Sequence, residues 1–447
     1  MGANRYSIRE QTSGRFQARW YDNNGDRKSK TFGTRTEAKK FLDGIKADRD
    51  RGDYIDPNDS RRTFRSVAEL WLSSRNLRPK TENNYREMLE LRIYPTFADR
   101  PVGGITTMDL VAWITALSRT GGLITAATQP ATDIAPAVRP LSPGTVRNAV
   151  RVATQVLDAA VRARYIRGNP ARGLTRDDMP KDHRKEAQFL TAAEVSALSA
   201  AVEQVVAARI QGDTRQPRGQ AGQPRKAPDP NTPTYAQHAA ALGLLVRFAA
   251  QTGMRAGEIC GLRWENVDLL RGRVIVAESI SAVRMNEWTV VPPKNGKTRT
   301  VPLTPPMRDA LADLAEQRAE RGTFAPEMYV WPRAYRPTST EEPYGTEPMR
   351  WGTDFYLRYW KPAVAEAGLN SGLRFHDLRH TCAALLIAAN VPAKAIQAHL
   401  GHSSFNITMS TYGHLYEDAS DAVTDAMGAA FSAPATPTPS NVRALRG

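Results

Sequence analysis

Five of the chain's seven histidines, His376, His380, His399, His402 and His414, fall within one short stretch. In the segment His376-Asp377-Leu378-Arg379-His380, His376 and Arg379 stand three apart, so both project from one face of a helix. Three chemistries fit this pattern. Two histidines four apart can bind zinc as in a helical metalloprotease, but that motif carries Glu in the second position, where this chain has Asp377. They can be satisfied structural histidines, the commonest fate of a single His. Or they join Arg379 in an oxyanion site, where imidazole and guanidinium both donate to phosphate oxygens. Taken alone, this segment leaves the last two readings level.

Other residues extend the pattern. Thr252-Gly253-Met254-Arg255-Ala256-Gly257-Glu258 places an Arg after a turn and near a helix start, where free N–H groups favour an anion. Pro293-Lys294-Asn295-Gly296-Lys297 reads as a hairpin tip between strands, which exposes a Lys at the end of a rigid arm. Leu400-Gly401-His402-Ser403 follows a helix over Pro392–His399, and Tyr412 lies ten residues past His402. Arg255 with Glu258 three on, a hairpin Lys, His376-x-x-Arg379, Leu400-Gly401-His402 and Tyr412 together resemble the tyrosine recombinase family, specifically phage-type integrases. Each motif is weak alone; all five in this order are specific. The resemblance covers essentially the whole chain and is strongest over residues 245–416.

The resemblance implies a metal- and ATP-independent DNA strand-exchange enzyme with no cofactor. Tyr412 is the expected nucleophile, forming a 3′-phosphotyrosyl bond and releasing a 5′-hydroxyl; a phenol with an ordinary pKa of ~10 must lose its proton during that attack. Arg255 and Arg379 would clamp the non-bridging oxygens as charge builds. Lys294 would protonate the leaving oxygen, and it is preferred over Lys297 and Arg299 because it lies eight residues before Pro302, as in the family pattern. His376 and His402 would supply phosphate hydrogen bonds and proton handling, and Glu258 would orient the set; the alternative for Glu258 is an ordinary exposed helix residue. Tyr416 could substitute for Tyr412 on a helix, and His399 reads as structural. The implied partners are double-stranded DNA at core-type and arm-type attachment sites, a homotetramer on synapsed duplexes, a host DNA-bending protein and an excision factor. The rivals are a non-catalytic DNA-binding regulator and a type IB topoisomerase on the same scaffold.

Composition agrees with a polyanion partner. Over 447 residues, 61 Lys and Arg against 46 Asp and Glu leave +15, a balance typical of proteins that meet nucleic acid. A hydrophobic fraction of 41% is enough for substantial cores, so wholesale disorder is excluded. The longest apolar runs, such as Ala239–Val246, fall short of the ~20 residues of a membrane span, and the opening residues lack the apolar core of a signal peptide. Two cysteines, Cys260 and Cys382, make no disulfide framework or Cys-based zinc site, so a reducing cytoplasm is expected.

The elements that must position these residues read as a multidomain, mainly α chain with small β-sheets. Residues 1–55 are expected to form an arm-type DNA-binding domain, a three-stranded sheet plus helix. Its strands Tyr6–Glu10, Phe16–Tyr21 and Lys28–Phe32 are separated by turn signals, and a Thr34-x-x-Glu37 capping box opens the helix. Arg15, Arg19 and Lys28 interleave with Phe16, Trp20 and Tyr21, a pattern a sheet can lay in a DNA groove. Residues 63–175 read as a helical bundle whose Arg147 and Arg151 could meet phosphates, and 186–432 as a mixed α+β domain; the resemblance implies that the first is core-binding and the second catalytic. Thr120–Pro140 and Gln211–Pro233 are too poor in large apolar groups to pack and read as surface insertions. Residues 433–447 read as a disordered tail. The resemblance implies that a helix after Tyr412, near Asp418–Met427, docks on a neighbouring protomer, the alternative being simple self-capping.

Overall fold

The computed structural model describes residues 6–21, 25–51, 55–56, 58–121, 140–181, 188–214, 235–284, 287–294, 296–333, 345–402 and 404–413, with 424–425, 427–429 and 431. His414, Tyr416, the expected tail, and most of the two insertions and of the docking helix lie outside them. The described part is mainly helical with small antiparallel sheets. The chain divides into two units, Met1–Arg184 and Lys185–Gly447.

In the first unit β1 (Tyr6–Glu10), β2 (Phe16–Tyr21) and β3 (Arg27–Phe32) form an antiparallel sheet in chain order. Helix α1 (Arg35–Asp50) starts at the expected capping box, with the Thr34 and Glu37 side chains each accepting from the other's backbone N–H. It buries Ala38, Leu42 and Ile45 on Ala18 and Trp20 of β2. The bundle follows: α2 (Phe64–Ser73), α3 (Pro79–Met88) running on through a π-helical turn into α4 (Tyr94–Phe97), α5 (Thr107–Thr120) and α6 (Pro143–Arg162). Ser142 caps α6 by accepting from the Thr145 N–H, with Pro143 at the first turn. Val146, Ala149, Val150, Ala153, Val156, Leu157 and Ala160 form one stripe of α6 that meets Trp71, Leu72 and Trp113 in the core.

The second unit is built on α7 (Ala192–Thr214) and α8 (Tyr235–Thr252). Helix α7 runs into the first residues of the expected insertion, 211–214. Short α9 (Ala256–Cys260) leads to the strands β4 (Val267–Asp268), β5 (Arg273–Val276), β6 (Ser279–Arg284), β7 (Glu287–Val291) and β8 (Arg299–Pro302). One sheet has the order β4-β5-β8 and a second is the β6-β7 pair. This corrects one expectation. Strands β7 and β8 do not pair, so Pro293–Lys297 is a connection between two sheets and not a hairpin tip. The missed strand β6, Ser-Ile-Ser-Ala-Val-Arg, takes β7 as its partner and frees β8 to cross to β5.

Helix α10 (Pro305–Ala319), a π-helical segment Trp351–Trp360, α11 (Lys361–Glu366), α12 (Asp377–Ala388), α13 (Ala393–Leu400) and α14 (Phe405–Tyr412) complete the unit. Its large core joins α8 to Trp331, Phe355, Trp360 and Phe375. A separate small cluster holds Cys382, Ala383, Ile387, Ile396, Leu400 and Tyr412. That cluster fixes α12, α13 and α14 against one another, and it sets the position of the polar residues beside it. Among the described residues no helix is long and apolar enough to cross a membrane.

Candidate active site

Arg255 sits where α8 ends and α9 begins. The reversal runs through Gly253 at φ +59, and a Cβ there would lie 2.5 Å from Leu400 Cδ2 and 3.1 Å from Cys382 Sγ. Only glycine allows α8 to turn this close to α12 and α13. Arg255 then caps α9: the Glu258 carboxylate accepts from the Arg255 backbone N–H at 2.9 Å and from its Nη1 at 2.9 Å.

Glu258 is 1% exposed, which removes the reading of an ordinary surface residue. Its other partner is Arg299 at the start of β8, whose Nη1 and Nη2 donate at 3.1 and 2.7 Å. Burial alone would raise the Glu258 pKa, but the Arg299 hydrogen bonds and charge, helped by Arg255, hold it down at about 2. Arg299 Nε also donates to the His399 carbonyl at 3.1 Å, where α13 ends. There Gly401, at φ +67, leaves room that a Cβ would close to 2.8 Å from Arg299 Cδ. One guanidinium therefore ties β8, α9 and the α13 terminus together. The sequence shows Arg299 only as a competitor of Lys294; its parity with Val301, which is fully buried, is the signal that it points inward.

The depressed Glu258 carboxyl makes stability depend on acid. Its contribution is fully present above the ordinary carboxylate pKa of 4.5 and is lost as pH falls through the folded value of about 2. The wild-type chain should thus lose up to about 3 kcal/mol from this site between pH 5 and pH 2. Urea unfolding across that range checks it: Glu258→Gln should lack this part of the acid limb, and an unchanged limb would contradict the assignment.

Arg379 and His376 occupy the start of α12. His376 is the N-cap residue and is exposed, whereas Arg379 is 2% exposed. The Arg379 Nη1 donates to the Gly253 carbonyl and Nη2 to the Leu400 carbonyl, both at 2.6 Å. Its guanidinium thereby links the turn before Arg255 to the turn before His402. Burial, then Arg255, lowers its pKa to about 10. Arg374 holds the neighbouring Asp377 through hydrogen bonds of 2.6–3.2 Å, so that buried carboxylate is already neutralised.

His402 follows the left-handed Gly401, with its N–H on the Gln397 carbonyl at 3.1 Å. Desolvation lowers the pKa of both His376 and His402 to about 4; among the charges that add to it are His380, Arg379 and Arg255 at both rings. Both rings are therefore held to the neutral form near pH 7, first by desolvation and then by the cations around them. An incoming anion would supply the balancing charge.

Tyr412 ends α14 and is 1% exposed. Its phenol oxygen lies 2.7 Å from His380 Nδ1, and its ring stacks on that of His402 at a centroid distance of 6.4 Å. Burial pushes its pKa to about 12, while Arg379 pulls the other way. His380, for which the sequence leaves a zinc, a structural and an oxyanion-binding reading open, turns to Tyr412, with its ring 5.1 Å from that of His376, edge to face. His399 lies against Cys382, with Nε2 3.7 Å from Sγ.

The structure thus brings Arg255, Glu258, His376, Arg379, His402 and Tyr412 together, and adds Arg299 and His380. Lys294 is exposed on the connection after β7 and makes no hydrogen bond or ion pair among the described residues.

The residues expected to meet DNA in the first unit are more scattered. Gln17, Arg19 and Tyr21 face away from α1, paired with Thr31, Ser29 and Arg27, and Arg9 shares that face. Arg9 and Arg27 escaped the sequence reading, though strand parity would have found them. Lys28 is corrected: it pairs with Trp20 and so lies on the helix-covered side, 3.8 Å from the Asp56 carboxylate. Arg15 is exposed beside the β1–β2 turn. On α6, Arg151 is exposed, and Arg147 donates to the Pro180 carbonyl at 2.7 Å.

Comparison with known proteins agrees with this architecture. The phage integrase family matches residues 228–418, the phage integrase N-terminal domain residues 7–51, and the phage integrase N-terminal SAM-like domain residues 63–118. Together these span well over half of the sequence, and the chain belongs to the phage integrase family of tyrosine recombinases. Prophage integrase IntR of Escherichia coli is 30% identical over 188 residues, 40% of this chain and 44% of that protein. The integrase of Mycobacterium phage D29 is 24% identical over 421 residues, 90% of this chain and 91% of that one. The chain spans less than half the length of several of the curated relatives it matches. The Tn1549 transposon integrase, solved in complex with a circular intermediate DNA, shares the fold at a TM-score of 0.58 and 17% identity, covering 82% of this chain and 99% of that one.

Proposed function

We propose that this chain is a site-specific recombinase that cleaves and rejoins DNA through a 3′-phosphotyrosyl intermediate, integrating or excising a phage or other mobile element. One observation carries the reading: the Tyr412 phenol is packed beside His402 and in the field of Arg379, within a group of cations that the buried Glu258 only partly neutralises. A phosphodiester is the anion that such a nucleophile and such a charge deficit suit together.

In this reading Arg255 and Arg379 hold the non-bridging oxygens, with His376 and His402 as further donors. The Tyr412 oxygen attacks phosphorus, the bond to the 5′-oxygen breaks, and Lys294 supplies the proton that makes the leaving group a 5′-hydroxyl. The phosphotyrosyl ester conserves the energy of the broken bond, so the reverse attack rejoins strands without ATP. Tyr412 is 1% exposed, so DNA has to open the packing around the phenol before a phosphate reaches it. Residues 63–175 would grip core-site DNA. The α1-free face of the sheet, with Arg9, Arg19 and Arg27, would bind arm sites. Assembly as a tetramer on synapsed duplexes, a DNA-bending helper, an excision factor and action in the cytoplasm belong to the same proposal.

The test is incubation with a nicked duplex carrying the attachment core read from the DNA flanking the gene, in the presence of EDTA. A covalent protein–DNA adduct is expected. No adduct on a core that the chain binds would favour a regulator, and full-rate relaxation of arbitrary plasmid would favour a topoisomerase. Affinity for that duplex should fall steeply with salt, with log K linear in log salt, as expected of many phosphate contacts. A flat dependence measured by fluorescence anisotropy would contradict a phosphate-gripping surface.

A further inference from the structure

We infer that His380 is the general base that takes the phenolic proton of Tyr412, an assignment that rests on the recombinase reading above. The geometry is direct. His380 Nδ1 stands 2.7 Å from the Tyr412 oxygen, within the range a proton-abstracting group must reach. His376 makes no such hydrogen bond to the phenol among the described residues, and the His402 ring lies alongside it. A neutral imidazole with its proton on Nε2 leaves Nδ1 as an acceptor, so the phenol donates.

His380 also follows Arg379 directly on α12, and Tyr412 lies within the field of that guanidinium. A phosphate held by Arg379 therefore keeps the attacking oxygen near the base. The charged and titratable groups around His380 are His376, Asp377 and Arg379 of its own helix end, Arg374 before it, Tyr412 on α14 and His402 after α13. Desolvation lowers its pKa, Asp377 opposes this, and Arg374 and Arg379 add to it, so the imidazole is free to accept at neutral pH.

The step balances. As the oxygen–phosphorus bond forms, the phenolic proton passes to Nδ1 and His380 becomes imidazolium. The bond to the 5′-oxygen breaks, and that oxygen takes its proton from Lys294. Rejoining returns both protons.

Single-turnover adduct formation on the nicked attachment-core duplex tests this against pH. His380→Asn and His380→Ala should slow the step by about 100-fold or more while DNA affinity stays at the parental level. The wild-type rate should rise with pH and level off as His380 loses its proton, and that limb should vanish in both variants. Added imidazole should restore His380→Ala in part. A fluorinated tyrosine at position 412, with its more acidic phenol, should shrink the His380→Asn defect; because the comparison lies within one variant, a folding defect cannot imitate it. Parental rates in both variants, or a defect that neither imidazole nor the fluorinated phenol relieves, would overturn the assignment. Faster adduct formation would overturn it too, making the contact a latch on Tyr412. No adduct from the parent chain on a core it binds would defeat the recombinase reading itself, and an adduct in Tyr412→Phe the choice of nucleophile; parental rates in the His380 variants, with Tyr412→Phe inactive, would defeat only the base.

Discussion

Tyr412→Phe should bind attachment-site DNA like the parent chain and form no covalent adduct, a loss of ~10⁴-fold or more in cleavage. The substitution removes one oxygen. The ring keeps its place among Cys382, Ala383, Ile387, Ile396 and Leu400, so the apolar contacts that hold α14 survive. The hydrogen bond to His380 is lost, but His380 is only partly buried and can turn to water, so the cost to stability should be about 1 kcal/mol. Chemistry and stability thus separate. Denaturing gels of the nicked-duplex reaction read the first and thermal melts the second. A variant that unfolds, or that still links to DNA, would contradict the role.

The largest structural effect is expected at Arg299. Its guanidinium is 10% exposed and gives two hydrogen bonds to a carboxylate that is 1% exposed. Arg299→Met would leave Glu258 buried with Arg255 alone, and breaking a buried pair from one side costs ~3–5 kcal/mol. In a unit of this size that is a fall of roughly 10 °C in Tm. The same change frees the α13 terminus that precedes His402, so cleavage should fall with stability. Adding Glu258→Gln should return part of the stability, because the neutral amide no longer needs a cation; the two changes would then be non-additive by ~1 kcal/mol or more. Simple additivity in melts of the two single variants and the double would mean that the pair is not the linkage the geometry shows. Cleavage should stay low in the double variant, since Arg255 loses the carboxylate that orients it.

The residues that converge in the candidate site were legible because their spacing is local: His376 to Arg379, Arg255 to Glu258, His402 to Tyr412. The helix starts at Thr34 and Ser142 were legible for the same reason, since a cap is written within four residues. What stayed hidden is non-local. Glu287–Val291 looks like a strand, yet nothing in it names Ser279–Arg284 as its partner, and that partner is itself polar and irregular. The hairpin expected around Lys294 failed on this pairing. The Arg299–Glu258 bridge spans 41 residues and the His380–Tyr412 contact 32, distances at which only the fold brings side chains together. Lys28 lies on the other face for a different reason: its parity with Phe32 on β3 is visible in the sequence, but interleaving of basic and aromatic residues takes no account of the strand's two faces.

The central claim is that these convergent cations serve a phosphate attacked by one phenol, and the covalent linkage can be located directly. The wild-type chain would be trapped on the nicked attachment-core duplex, digested with protease and nuclease, and the nucleotide-bearing peptide sequenced by mass spectrometry. A 3′-nucleotide on Tyr412 is the expected result. The same mass on Tyr416 or on a serine, or linkage through a 5′-phosphate, would contradict a site organised around the Tyr412 oxygen.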